Sequence, residues 1–195
     1  MKHAPVTLAI VGASALALLA PQALELDRNV AQEAWRWLTG HLAHGGLAHW
    51  LVDAATLLAL GLLYERHVGS ARWAAGLAVA AIVISAGFLL LEPLRCYRGL
   101  SGLDCAAFAM AIRVEWSRNR RFALMLALLF IGKLIYEQSA GAFIFPAFAS
   151  PGAMGDPVPS AHLLGGLVGL AVPPTRRETP KSPATRTAQA PAWPT

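Results

Sequence analysis

The chain has 195 residues, of which 56% are hydrophobic and 14% charged, and its mean hydropathy is +0.50. So apolar and charge-poor a chain is excluded from the ordinary soluble domains and reads as one membrane domain. The net charge of +5 does not point to nucleic acid, because no basic stripe is interleaved with aromatics. The arginines stand between apolar runs, where topology signals belong.

Ala4–Ala20 is the first apolar run, of a signal-anchor's length, and Pro21 ends it. An uncleaved first helix is expected, with a cleavable signal peptide as the alternative. Residues 22–46 are mixed in polarity. Trp35 and Trp37 flank Arg36 there, a placement that suits a membrane interface, where an indole keeps one edge wet. His41, His44, His49 and Asp53 follow. Three histidines raise the question of a metal. However, Gly45-Gly46 break the helix between them and no cysteine or glutamate completes a compact set, so no metal is expected. The i, i+4 spacing puts His49 and Asp53 on one helix face. Leu47–Tyr64 is the second apolar span. Gly69 and Ser70 lie in a turn, Trp73–Leu91 is the third span, and Glu92-Pro93 stops it.

Tyr97-Arg98-Gly99-Leu100-Ser101-Gly102 opens the fourth span, which runs from Leu100 to near Glu115. At about 16 residues this helix is roughly 24 Å long, against a hydrocarbon core of about 30 Å. The Ser101 end is therefore expected below the membrane surface, in space lined by protein. Glycines on both sides of the serine permit close backbone approach and unusual dihedrals. Arg113, Arg118, Arg120 and Arg121 form the densest basic cluster. Phe122–Gln138 is the fifth span, and Lys133 inside it calls for a partner, for which Glu137 at i+4 is placed. Residues 139–158 carry Phe143, Phe145 and Phe148 between glycines and prolines, the composition of an apolar lid or of an interface anchor. Ser160–Val172 is the short sixth span, with His162, Gly165, Gly166 and Gly169 on one face. From Pro173 the chain is rich in Pro, Thr and Arg and reads as a disordered tail.

Six spans would put both termini on one side. That side holds eleven of the sixteen lysines and arginines, and the other holds Arg28, Arg36, Arg95 and Arg98, with Lys133 inside a span. The bias places the termini in the cytoplasm. Ser101, His49 and His162 then all fall near the outer ends of their spans. Serine and histidine brought together by glycine-faced helices are, in outline, a nucleophile and its base. Cys96 and Cys105 also lie toward the outer side, where oxidation is permitted. A disulfide between them would clamp the loop around Ser101; two free thiols are the alternative.

Gly99-x-Ser101-Gly102 at one helix start and His162-x-x-Gly165-x-x-x-Gly169 at another resemble the rhomboid intramembrane serine proteases. The resemblance covers residues 1 to 172. It implies an all-α membrane protein, a bundle of six transmembrane helices over residues 1–172 followed by a cytoplasmic tail, 173–195. It also implies a peptide-bond hydrolase without a cofactor, in which Ser101 attacks and His162 is the base. No third acid is evident beside His162, so the pair is expected to act as a dyad. His44-x4-His49-x3-Asp53 is similar to the family's His-x4-His-x3-Asn. The match assigns His49 to the oxyanion, with His44 and Gly99 in support. Asp53 departs from the pattern, since an ionised aspartate cannot donate; it donates only if protonated and otherwise orients His49. Cys105 also departs, standing where the family usually has an aromatic four residues after the serine.

Trp35-Arg36-x-Leu38-Thr39-Gly40-His41-Leu42-x-His44, Tyr97-Arg98-Gly99-Leu100-Ser101-Gly102 and the compact plan look like the rhombosortase branch. That likeness implies a bacterial inner-membrane enzyme opening to the periplasm. Its partners would be the lipid bilayer and membrane-anchored protein substrates bearing a C-terminal Gly-Gly, transmembrane and basic-tail anchor, with no nucleic acid. The oligomeric state is not legible. Other readings are a general rhomboid protease, an inactive relative that binds membrane clients, and an unrelated six-span transporter with Lys133, Asp53 and Asp104 as a polar path.

Overall fold

The computed structural model describes residues 4–140 and 158–175. The expectations for the Phe143–Phe148 loop and for the tail beyond Thr175 lie outside these residues.

Six helices coincide with the six apolar runs: α1 (Pro5–Ala17), α4 (Leu47–Val68), α5 (Ser70–Leu91), α6 (Ser101–Trp116), α7 (Arg120–Ala140) and α8 (Pro159–Ala171). The short helices α2 (Pro21–Leu24) and α3 (Arg36–Thr39) and a 3-10 turn (Arg28–Val30) lie between α1 and α4. With 22, 22 and 21 residues, α4, α5 and α7 are long and apolar enough to cross a membrane. The other three have 13, 16 and 13 residues for α1, α6 and α8. Proline opens α1, α2 and α8 at the first helical position, where its missing N–H costs nothing.

Two boundaries differ from the sequence reading. Helix α4 continues to Val68 and α5 begins at Ser70, so Gly69 alone reverses the chain, at φ 87°. That left-handed conformation suits glycine. The polar residues that resembled a turn are helical because the bundle uses one of them. Glu65 is fully buried and accepts hydrogen bonds from the Val6 N–H (3.2 Å), the Thr7 N–H (3.0 Å), Thr7 Oγ1 (2.8 Å) and Ser70 Oγ (2.7 Å). A carboxylate is thereby set on the orphan donors of the first turn of α1. Trp73 Nε1 donates to Thr7 Oγ1 at 3.1 Å, and Gly61 leaves the room that Thr7 fills. These contacts fix α1 against α4 and α5.

One short ladder accompanies the helices of this mostly helical bundle. Strands β1 (Leu26–Asp27) and β2 (Cys96–Tyr97) pair antiparallel, Leu26 opposite Tyr97 and Asp27 opposite Cys96. Leu26 and Tyr97 are buried, so this short ladder seals the bundle where the chain turns into α6.

Helix α6 is the centre. Gly102 to Ala107, Ala109 to Ile112 and Val114 are all buried. Helices α4, α5, α7 and α8 all pack on it. Small residues on α6 let the neighbouring backbones close in. Helix α7 is peripheral and buries only Ala123, Phe130 and Glu137. Leu62, Leu63, Leu90, Leu91, Leu128 and Leu129 are exposed. Such a surface fits hydrocarbon as the solvent, where apolar side chains need no cover.

His41 is fully buried between α3 and α4, with Nε2 3.0 Å from the Ala81 carbonyl oxygen and 3.3 Å from Ser85 Oγ. Ser85 Oγ donates to the Trp37 carbonyl at 2.8 Å, so His41 and Ser85 together staple this loop to α5. Burial pushes the His41 ring down from 6.5 to about 4, against the opposing pull of the Ala81 hydrogen bond. Between those values the unfolded chain binds a proton that the folded chain does not. Stability is therefore full above pH 6.5 and lost as the pH falls toward 4. The loss across that window is expected to be about 3 kcal/mol. Thermal unfolding in detergent at pH 7 and pH 4.5, for the wild type and His41→Phe, checks it. The variant should lack the acid-side slope that His41 contributes.

Candidate active site

The segment before Ser101 is held at every step. Arg28 reaches the end of α5, where Nη1 donates to the Leu89 carbonyl (2.7 Å) and Nη2 to the Phe88 carbonyl (3.1 Å) and to Glu92. An arginine thereby supplies the C-terminal carbonyls of that helix with donors. The Arg28 N–H also donates to the Arg95 carbonyl at 3.0 Å, just ahead of β2. Tyr97 is buried, and its hydroxyl donates to the Gly99 carbonyl at 3.3 Å. Burial and the charge of Asp53 push its phenol up, so the hydroxyl stays a neutral donor. The Gly99 N–H donates to the Gly40 carbonyl (3.4 Å) and the Leu100 N–H to His44 Nε2 (3.4 Å).

Gly99 has φ 122°, and a Cβ there would stand 3.0 Å from His49 Cε1 and Nε2. Conformation and close approach both require glycine at this position. Helix α6 then starts at Ser101 with no side-chain cap. The first N–H groups of a helix have no partner within it, so Ser101 opens the helix beside uncapped donors. Ser101 is half-buried, and among the described residues its side chain makes no hydrogen bond.

Helix α8, which carries His162 near its start, packs against the start of α6. A Cβ on Gly165 would overlap the Gly102 carbonyl oxygen, and one on Gly169 would overlap that of Ala106. From the other side, a Cβ on Gly102 would stand 3.3 Å from the Ala161 carbonyl oxygen. The two backbones therefore touch at residues adjacent to Ser101 and His162, so that these two lie at neighbouring positions of contacting helices. His162 is buried. Its Nδ1 lies 2.7 Å from Glu137 Oε2 on α7, which leaves Nε2 as the ring nitrogen without a hydrogen-bond partner among the described residues.

The sequence reading saw no acid beside His162; Glu137 corrects it. Lys133 Nζ is 2.6 Å from the same Oε2, as the i+4 spacing led us to expect, and it also stands 3.2 Å from His162 Nδ1 and 3.9 Å from Cys105 Sγ. A carboxylate inside an apolar run is by itself a signal of function. It was visible in the sequence, but only as a partner for Lys133.

His44, His49 and Asp53 form a third group, all buried. His44 Nδ1–H donates to the Leu42 carbonyl at 2.9 Å, and its Nε2 receives the Leu100 N–H. The ring is thus fixed in one tautomer. Asp53 Oδ2 lies 3.3 Å from Nε2 of both histidines, within ion-pair distance but off hydrogen-bond geometry. Three donor atoms of these residues fall within 4.8 Å of one another, a set able to hold a divalent ion. The sequence reading had dismissed such a set as incomplete. The lone pair of His44 Nε2 is already engaged by the Leu100 N–H, which a metal would have to displace.

In this structure Cys96 and Cys105 are free thiols, the alternative to a disulfide between them. Cys96 lies in β2 opposite Asp27, half-buried, and burial holds its thiol above the usual range. Cys105 is one helical turn beyond Ser101, buried and turned toward Lys133 of α7.

The family model described as Rhomboid domain matches residues 31–178. No curated protein matches the chain.

Proposed function

We propose, from the premise that this chain belongs to the rhomboid family, that it is an intramembrane serine endopeptidase acting on membrane-anchored proteins. The observation that supports this reading is the close backbone approach of Gly102 to Ala161 and Gly165, between the helix that opens with Ser101 and the helix that carries His162 near its start. Ser101 Oγ attacks a substrate carbonyl and its proton passes to His162 Nε2. The uncapped N–H groups at the start of α6 and the His49 side chain stabilise the oxyanion, and the Leu100–His44 hydrogen bond keeps that end of the helix in place. Asp53, Gly99 and His44 support His49, Gly99 by leaving space against its ring. The leaving amine takes the proton from His162, and water releases the acyl group from Ser101 by the same steps. In this reading six helices cross the membrane, both termini are cytoplasmic and the site opens outward. The proposed setting is the inner membrane of a bacterium.

The substrate we propose is a C-terminal anchor with a Gly-Gly pair just ahead of its membrane helix, as the motifs shared with rhombosortases suggest. Helical carbonyls are already hydrogen-bonded, so a helix must unwind locally before Ser101 can attack it. Glycine makes that unwinding easier by roughly 1 kcal/mol each relative to alanine. Two glycines should therefore favour cleavage by about tenfold or more over a pair of good helix formers. The check is co-expression with a reporter carrying the anchor, with and without Gly-Gly→Leu-Leu replacement. Equal cleavage of both would leave the general rhomboid protease as the better reading.

A further inference from the structure

We infer that Glu137 is a positioning residue for His162, so that the protein works with a Ser101–His162–Glu137 triad and not with a serine–histidine dyad. The inference rests on the protease reading above and deepens it. Glu137 Oε2 and His162 Nδ1 are 2.7 Å apart, and the two side chains are 4% and 5% exposed. They come from different helices, α7 and α8, so the contact belongs to the tertiary fold and is no by-product of one helix's spacing. An N–H donating to a carboxylate at this distance is a charge-assisted hydrogen bond, about twice as strong as a neutral one.

Its chemical consequence is the choice of tautomer. With the proton on Nδ1 held by Glu137, the Nε2 lone pair is free to take the Ser101 proton. As the Oγ–carbonyl bond forms, the carbonyl electron pair moves to its oxygen and the proton moves from Oγ to Nε2. The ring is then a cation on both nitrogens, and the Glu137 carboxylate faces the charge that has just appeared. When the C–N bond breaks, Nε2 returns the proton to the leaving nitrogen. Glu137 keeps its charge throughout.

Lys133 competes for the same place. Its ammonium is 3.2 Å from His162 Nδ1, and it can donate there only if Nδ1 is bare, which would leave the proton on Nε2 and disable the base. Both short contacts, 2.6 Å from Lys133 and 2.7 Å from His162, instead end on Glu137 Oε2. The carboxylate therefore stands between the ammonium and the ring. It fixes the productive tautomer, and Lys133 balances its charge inside the membrane, where an isolated ion is costly.

The experiment is steady-state cleavage of a membrane-anchored reporter by purified Ser101→Ala, Glu137→Gln, Glu137→Asp and Lys133→Met proteins, with the rate of fluorophosphonate labelling of Ser101 as a second readout. Glu137→Gln is expected to lower kcat by about 10²- to 10⁴-fold, with KM changed less than about threefold, and to slow labelling in proportion. Lys133→Met keeps the carboxylate against His162 and should lose far less. Glu137→Asp keeps the charge but shortens the reach by one methylene, so it should regain at least about tenfold over the glutamine variant. If Glu137→Gln does not fold, Glu137→Asp against the wild type decides: a kcat reduced about tenfold or more at constant KM supports the triad. An inactive Ser101→Ala protein beside a Glu137→Gln protein within about threefold of wild type overturns the triad and leaves the protease reading intact. Equal losses in Glu137→Gln and Lys133→Met overturn it in favour of simple helix pairing. A Ser101→Ala protein that still cleaves overturns the protease reading itself.

Discussion

Replacing Ser101 by alanine, or His162 by alanine, is expected to abolish proteolysis, each by about 10⁴-fold or more, while the serine variant keeps its thermal stability. Loss of either member of a nucleophile–base pair costs nearly as much as loss of both, because neither works alone. The structural cost should be small for the serine, whose side chain makes no hydrogen bond among the described residues. It should be larger for the histidine, because His162→Ala strands Glu137 with only Lys133 as a partner. Leaving a buried carboxylate short of a donor costs roughly 1–3 kcal/mol. Stability and activity must therefore be measured on the same samples. The double variant is expected to be no slower than the worse single variant. If the two losses multiply instead, the residues act independently and are not a pair.

The parts of this site that follow from local pattern were legible in the sequence. The short apolar run after Leu100, the glycines around Ser101, and the glycine face of the helix that carries His162 each coincide with the start or body of a helix that the structure contains. What was missed depends on contact between elements. Glu137 was read only along α7, as the i+4 partner of Lys133, and its bond to His162 exists only once α7 lies beside α8. Cys96 and Cys105 are close in sequence, but one lies in a strand and the other in a helix, and both are free thiols. Glu65 looked like the end of a span because it is charged, yet it is buried inside the bundle holding the start of α1. For both glutamates, charge or spacing along one segment was a poor guide because the partner was remote.

Gly165→Ala is expected to lower activity by about 10²-fold or more and to reduce stability by about 1–3 kcal/mol, and Gly165→Val to prevent assembly of the bundle. The reason is the absence of any space between α6 and α8. A Cβ on Gly165 meets the Gly102 carbonyl, and one on Gly169 meets the Ala106 carbonyl and stands 2.8 Å from Ala109 Cβ. The obstacle is backbone in both places, so no side chain can swing aside to make room. Overpacking of this kind forces the backbones to move, at about 1–3 kcal/mol, and small residues at i and i+4 are what permit such close helix crossings. The movement would fall on the pair that this contact positions, since Gly165 is three residues from His162 and Gly102 follows Ser101 directly. A displacement of about 1 Å between reacting groups costs on the order of 10²-fold in rate. Gly132→Ala on α7 is the control, because a Cβ there meets nothing within 4 Å; it should leave both cleavage and unfolding temperature near wild type. Cleavage by Gly165→Ala at the wild-type rate would show that the helix contact does not set the distance between Ser101 and His162, and the site would have to be assembled by some other constraint.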